Sequence, residues 1–135
     1  CHLSGAGALA RCQLIAHAAN PEERKRLTKL AAADVKRGLS AGRAFANYTA
    51  LSLLAAARFH ELSGNWAAAR DAYKRSVTIA AERQHDFWRA HAHAAWAQLE
   101  QVNGDASDAA EHQRLARALF VEMGIASGAP PSICQ

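Results

Sequence analysis

The 135-residue chain has three prolines, three cysteines, one methionine and nine aromatic residues, 7% of the whole. Few prolines leave long stretches free of helix breakers. The cysteines (Cys1, Cys12 and Cys134) are odd in number and widely spaced. They form no CxxC, so they suggest neither a disulfide framework nor a zinc knuckle, and free thiols in a reducing compartment are expected. No uninterrupted run of about 18 apolar residues exists, which excludes a transmembrane helix from this reading. A signal peptide with a charged start and an apolar centre is missing as well. The sequence contains no GxxxxGK[ST], GxSxG or HExxH, so the common phosphate-loop, hydrolase and zinc-protease chemistries have no motif here. Residues that favour strands never alternate along the chain.

What the chain has in quantity is alanine and other good helix formers, within a composition that is 50% hydrophobic. Alanine loses no side-chain entropy in a helix, so an all-α fold is expected. The net charge of +4 is mildly basic, as in many cytoplasmic domains. A start at Cys1 rather than Met suggests a segment of a longer protein, with a lipoprotein start as the alternative.

The punctuation predicts six helices, at about 5–19, 21–37, 42–62, 65–83, 86–102 and 105–123. Asn20-Pro21-Glu22-Glu23 supplies an N-cap, a proline at the first helical position and two acids in the first turn. Arg37-Gly38-Leu39-Ser40-Ala41-Gly42 reads as a glycine stop followed by a new start. Ser63-Gly64-Asn65 and Asn103-Gly104-Asp105 read as tight helix-to-helix turns. Residues 125–135 read as a loose tail.

Gly64 and Gly104 lie 40 residues apart, and the segments around them align. Tyr48 falls on Trp88, Ser52 on Ala92, Ala55 on Ala95 and Phe59 on Leu99. Beyond the turn Ala69 falls on Ala109, Asp71 on Glu111, Lys74 on Arg114 and Ile79 on Leu119. Such self-similarity predicts an α-solenoid of about three antiparallel helix hairpins, at about 5–38, 42–84 and 85–124, in one domain spanning 1–124.

With Gly64 at the turn, Ala57, Ala69 and Ser76 occupy small positions and Tyr73 an aromatic one, while Ala97, Ala109 and Ala116 repeat the small set. This pattern resembles tetratricopeptide repeats. The motif's proline is absent, Gln113 replaces the aromatic, and the period exceeds the usual 34 or so residues. The pattern is therefore similar to the longer, degenerate repeats of large bacterial signalling proteins and maltose-type transcription activators, whose helix endings Leu115–Ile125 also resembles. The resemblance implies a non-catalytic interaction or regulatory module acting in the cytoplasm, with no cofactor and a protein or peptide partner.

On that pattern the first helix of each hairpin lines a groove. Leu51, Leu54, Arg58 and Glu61 in one repeat correspond to His91, Ala94, Gln98 and Gln101 in the next, a set suited to holding a peptide. The other reading is that Leu51 and Leu54 pack on a neighbouring helix. A small-ligand sensor using the same groove is the alternative function. An exposed apolar edge on the first hairpin, through Leu3, Leu9 and Ile15, would favour self-association.

The residues His85–Glu100 carry three histidines and two tryptophans, which raises the second alternative, an enzyme or metal protein. His91 and His93 stand two residues apart, about 200° around a helix, so they cannot both ligate one metal from it. Trp88, Ala92, Ala95, Trp96, Leu99 and Val102 form the apolar stripe, and the histidines are expected to flank it as packing or surface residues. Gly5–Ala10 fits GxGxxA but has too little chain before it for the strand that a dinucleotide site requires. Cys12 and His17 lie on different helix faces, and Cys12 falls on the core stripe as an inert thiol. Arg24–Arg37 is rich in basic residues, with Lys25, Lys29 and Lys36 on one face. A solvated face is the plain reading. Phosphate or an acidic partner would suit it too, but it has no aromatic residues for base stacking, so nucleic acid is not expected here.

Overall fold

The structure, a computed structural model, describes residues 2–125, with side chains from residue 5 onward. The helices are α1 (His2–Ala16), α2 (Pro21–Ala44), α3 (Thr49–Leu62), α4 (Trp66–Glu82), α5 (Asp86–Asn103) and α6 (Ala106–Glu122), with one 3-10 turn at Ala46–Tyr48. No strand occurs among the described residues, so the fold is all-α. Of the tail expected at 125–135, Ile125 packs against the α5–α6 core and the rest lies outside the described residues. The chain divides into two compact units, Cys1–Ala72 and Tyr73–Gln135, with the boundary inside α4.

Side-chain capping marks the starts of α2, α4 and α6. The Asn20 side chain accepts from the Glu23 amide at 2.8 Å, and the Glu23 carboxylate accepts from the Ala19 amide at 3.2 Å. Two amides that the helix cannot satisfy internally are thereby satisfied. Asp105 does the same for α6, accepting from the amides of Ser107 and Asp108. Three helix ends turn through the left-handed region, at Gly64 (φ +72), Gln84 (φ +55) and Gly124 (φ +83). Gly104, which the repeat aligns with Gly64, instead lies at φ −155.

The expected break at Gly38–Gly42 is overturned. α2 runs through both glycines to Ala44, so the third helix starts at Thr49 rather than near residue 42. Both glycines are buried in the first unit against α3. The Ser52 hydroxyl donates to the Gly38 carbonyl and the Thr49 hydroxyl to the Gly42 carbonyl, each at 2.9 Å. A Cβ on Gly38 would lie 3.2 Å from Ser52 Oγ, and one on Gly42 3.3 Å from Thr49 Cα. Glycine here permits close approach, which offsets its cost of about 1 kcal/mol within a helix.

In the first unit α1, α2 and α3 all touch one another. Ile15, Leu27 and Ala31 form one core cluster, with Phe59 and Leu62 against it. The Asp34 carboxylate, nearly buried, pairs with Arg11 across the α1–α2 contact and with Arg37 one turn along. Burial would raise its pKa, but the hydrogen bonds and charges of the two guanidiniums hold it below the usual carboxylate value. The expected exposed first edge is not present where it can be read. Leu9 and Ile15 are core residues at 7% and 1% exposure, and the Leu3 side chain lies outside the described residues.

In the second unit α5 and α6 pack as a hairpin around Ala90, Ala116, Leu119 and Phe120. Alanines dominate both cores, and Ala57 has no exposed surface. Leucine there adds atoms for which no space exists, so Ala57→Leu is expected to cost about 1–3 kcal/mol. Chemical denaturation matching the parent would show that this position is not tightly packed.

Candidate functional site

The residues expected to line a groove separate into two kinds. On α3, Leu51 and Leu54 are 0% and 2% exposed, so they belong to the core and cannot contact a partner. Arg58 and Glu61, further along the same helix, are half-buried, and Arg58 Nη1 donates to Glu61 Oε2 at 2.6 Å. On α5, His91 is buried at 4%, whereas Gln98 and Gln101 are exposed. Gln98 and Gln101 thus stand at the surface and Arg58 partly so, while the Glu61 side chain, 12% exposed and paired with Arg58, is largely covered, as are Leu51, Leu54 and His91.

Behind Arg58 and Glu61 lies Cys12 of α1. Burial pushes its thiol up to about 11, while the Arg58 charge acts to lower it and Glu61 to raise it. A thiol so protonated is a poor nucleophile. His17, at an exposed position, is no base for it. Gly5–Ala10 lies inside α1, with no strand before it among the described residues, so the dinucleotide reading fails on its context.

The histidine-rich helix departs most from expectation. His91 and His93 are both buried rather than flanking the core, while Val102, placed on the apolar stripe, is 81% exposed. Trp88 and Trp96 are half-buried. His91 sits among aromatic rings, 4.5 Å from the centre of Phe87 and 5.3 Å from that of Phe120. Its Nε2 is buried with no hydrogen-bond partner. Desolvation in this apolar setting lowers its pKa to about 4.

His93 faces His112 of α6, with the two Nδ1 atoms 3.1 Å apart. The ring centres lie 5.3 Å apart. The excess of that distance over the nitrogen separation is what two ring radii supply, so the nitrogens lie near the line of centres. That is the geometry of one Nδ1–H donating to the other Nδ1, with a single proton between two neutral rings. Burial lowers the pKa of His93 to about 4, and the nearby His112 and Arg89 act in the same direction. His112 is lowered too, by burial, against the raising influence of Asp108, Glu100 and Glu111.

Around this pair Trp96 stacks on His112 at 3.9 Å and on Tyr73 of α4 at 6.4 Å. Trp96 Nε1 donates to the buried Glu100 carboxylate at 2.9 Å. The result is a polar and aromatic layer within the second unit. Reading α5 alone misses it, because His112 and Tyr73 come from other helices. The signal was nevertheless in the sequence, since a two-helix hairpin folded at Gly104 brings His93 and His112, at comparable distances from the turn, near each other. Among the described residues no group of three or more His, Cys, Asp or Glu is placed to hold a metal ion.

Beside the α5–α6 turn a shallow cleft of about 250 Å³ is lined by Glu100, Gln101 and Gln113, with Gly104, Ala106, Ala109 and Ala110 completing its wall. On α2, Lys25, Lys29 and Lys36 are exposed, as the sequence suggested, and Arg43 is exposed further along. No helix among the described residues is long and apolar enough to cross a membrane. No protein-family model, curated protein or solved structure matches the chain.

Proposed function

We propose that this chain is a non-catalytic protein-interaction module built of tetratricopeptide-like hairpins stacked as a short α-solenoid. Such modules serve larger bacterial signalling and transcription-regulatory proteins in the cytoplasm. One observation carries the reading. Burial recurs at the 40-residue offset, with Ala50 and Ala90, Ala57 and Ala97, Ala69 and Ala109, and Ser76 and Ala116 all at most 4% exposed. Small residues recurring at buried positions fit hairpins whose helices approach closely in successive repeats. Such arrays leave polar side chains of the first helices for partners. Here those are Arg58, Gln98 and Gln101.

The test is calorimetric titration of a partner first identified by cross-linking to the parent protein and then purified. Arg58→Ala is expected to weaken binding about tenfold, since arginine is prominent among binding hot spots, and Gln98→Ala less. Unchanged affinity in both variants would remove the groove from consideration. A second reading, a small-ligand sensor, draws on the cleft beside Gly104. It predicts a metabolite retained by the purified protein and visible by native mass spectrometry.

A further inference from the structure

Several arginines of this protein are balanced by an acid on the same helix. Arg37 pairs with Asp34, Arg58 with Glu61, Arg89 with Asp86 and Arg114 with Glu111, each three residues apart on its own helix. Among the described residues, the outer face of α2 instead gathers unpaired cations in one place, whereas Lys74, Arg83 and Arg117 elsewhere stand singly. Lys25, Lys29, Lys36 and Arg43 are all exposed, and none makes an ion pair with an acid among the described residues. Their steps of four, seven and seven residues keep them within a narrow sector of the helix surface. They therefore form one straight row about 27 Å long. The acids of the first turn, Glu22 and Glu23, stand at the N-terminal end, and the Glu23 carboxylate is engaged by the Ala19 amide. Along the row itself the exposed residues between the cations are small, Ala32 and Ser40, while the exposed Arg26, Leu30 and Arg37 lie round to one side of the helix.

We infer that this row is a docking strip for an acidic α-helix of a partner protein, one whose glutamates or aspartates recur at the same four- and seven-residue steps. The inference rests on the interaction-module reading and names a surface and a partner chemistry for it. Charge complementarity selects an anionic partner. The straightness of the row selects a helix, because a second helix alongside repeats its side chains in register over any length. A duplex phosphate strand curves away from such a line within a fraction of a turn. The small residues between the cations let a partner helix approach to the usual separation of 8–10 Å or so. No aromatic side chain interrupts the row, so a single-stranded nucleic acid has nothing to stack on.

The experiment measures binding of the whole chain to an alanine-rich helical peptide with glutamates at those steps. A peptide of equal composition with its glutamates scattered around the helix is the control. The patterned peptide is expected to bind about tenfold more tightly than the scattered one, and more weakly as salt rises. Lys29→Glu/Lys36→Glu should lose about tenfold in affinity for it. The same variant should regain binding to a peptide in which lysines replace the facing glutamates. Equal binding of the two peptides would overturn the inference, as would an unchanged affinity in the double variant. It would also fall if mixed-sequence duplex DNA or anionic vesicles bound the row while the patterned peptide did not. If the purified natural partner loses affinity on Arg58→Ala and not on charge reversal in the strip, the strip is refuted and the interaction-module reading stands.

Discussion

Acidification is expected to unfold the second unit well before it protonates most carboxylates. His91 and His93 have folded-state pKa values near 4, against 6.5 for a free histidine. Their neutral forms are favoured by the fold, so the unfolded chain takes up protons that the folded chain refuses. The stability they contribute is complete above about pH 6.5 and is lost as the pH falls from there to about 4. Each depressed histidine is worth on the order of 3 kcal/mol over that window, a large share of a small domain's stability. For His93 the geometry adds a reason. A second proton would set two Nδ1–H groups against each other at 3.1 Å, and α5 would part from α6 there. Asp34 acts lower, because its carboxyl is held below the ordinary value of 3.8 and its pairs with Arg11 and Arg37 fail only beneath that pH. Cys12 acts at the opposite end, with stability lost as the pH rises from 9.0 to about 11. Denaturant titrations followed by circular dichroism at several pH values between 7 and 4.5 or so would read the slope. His91→Phe/His93→Gln should flatten it. In that variant the phenylalanine also removes the unsatisfied Nε2, so the stability at neutral pH should fall little, or rise. A parent midpoint that does not move between pH 7 and 4.5 would mean that these histidines are not held neutral by the fold.

How far the sequence could be read depended on whether a signal was local or tertiary. Asn20-Pro21 and Asp105 announce helix starts through their own side chains and backbone, so those starts were legible and the caps form. Gly38 and Gly42 were misread because glycine can mark either a helix end or a close contact. Only Ser52 and Thr49, on another helix, decide which. The same holds for His93, whose meaning lies in His112. The periodicity along α5 located the buried face only roughly, since Val102 near its end is left outside the core and His91 is taken in. The exposure of Gln98 and Gln101 was legible from their polarity. The candidate site was not legible in Leu51 and Leu54, where periodicity gives a face but not the neighbour that covers it.

Leu51→Ala is expected to cost about 2–5 kcal/mol, the range for emptying a fully buried leucine site. Leu51 has no exposed surface, and it lies directly against Gly5 of α1. A Cβ on Gly5 would stand 2.9 Å from Leu51 Cγ and 3.2 Å from its Cδ2. The glycine and the leucine are therefore a complementary pair across the α1–α3 contact, one vacating the volume that the other fills. Gly5→Ala alone should destabilise, because the gain in helix propensity of about 1 kcal/mol is opposed by that clash. Combined with Leu51→Ala, the added methyl enters space that the shortened side chain has left. The double variant should then be more stable than the sum of the two single changes predicts, by about 0.5–3 kcal/mol of coupling. Denaturation of the parent, both single variants and the double variant completes the cycle. If Leu51→Ala leaves stability unchanged while weakening a partner, Leu51 is a groove residue and the α1–α3 contact is not as described. If the two changes simply add, Gly5 and Leu51 do not share that space.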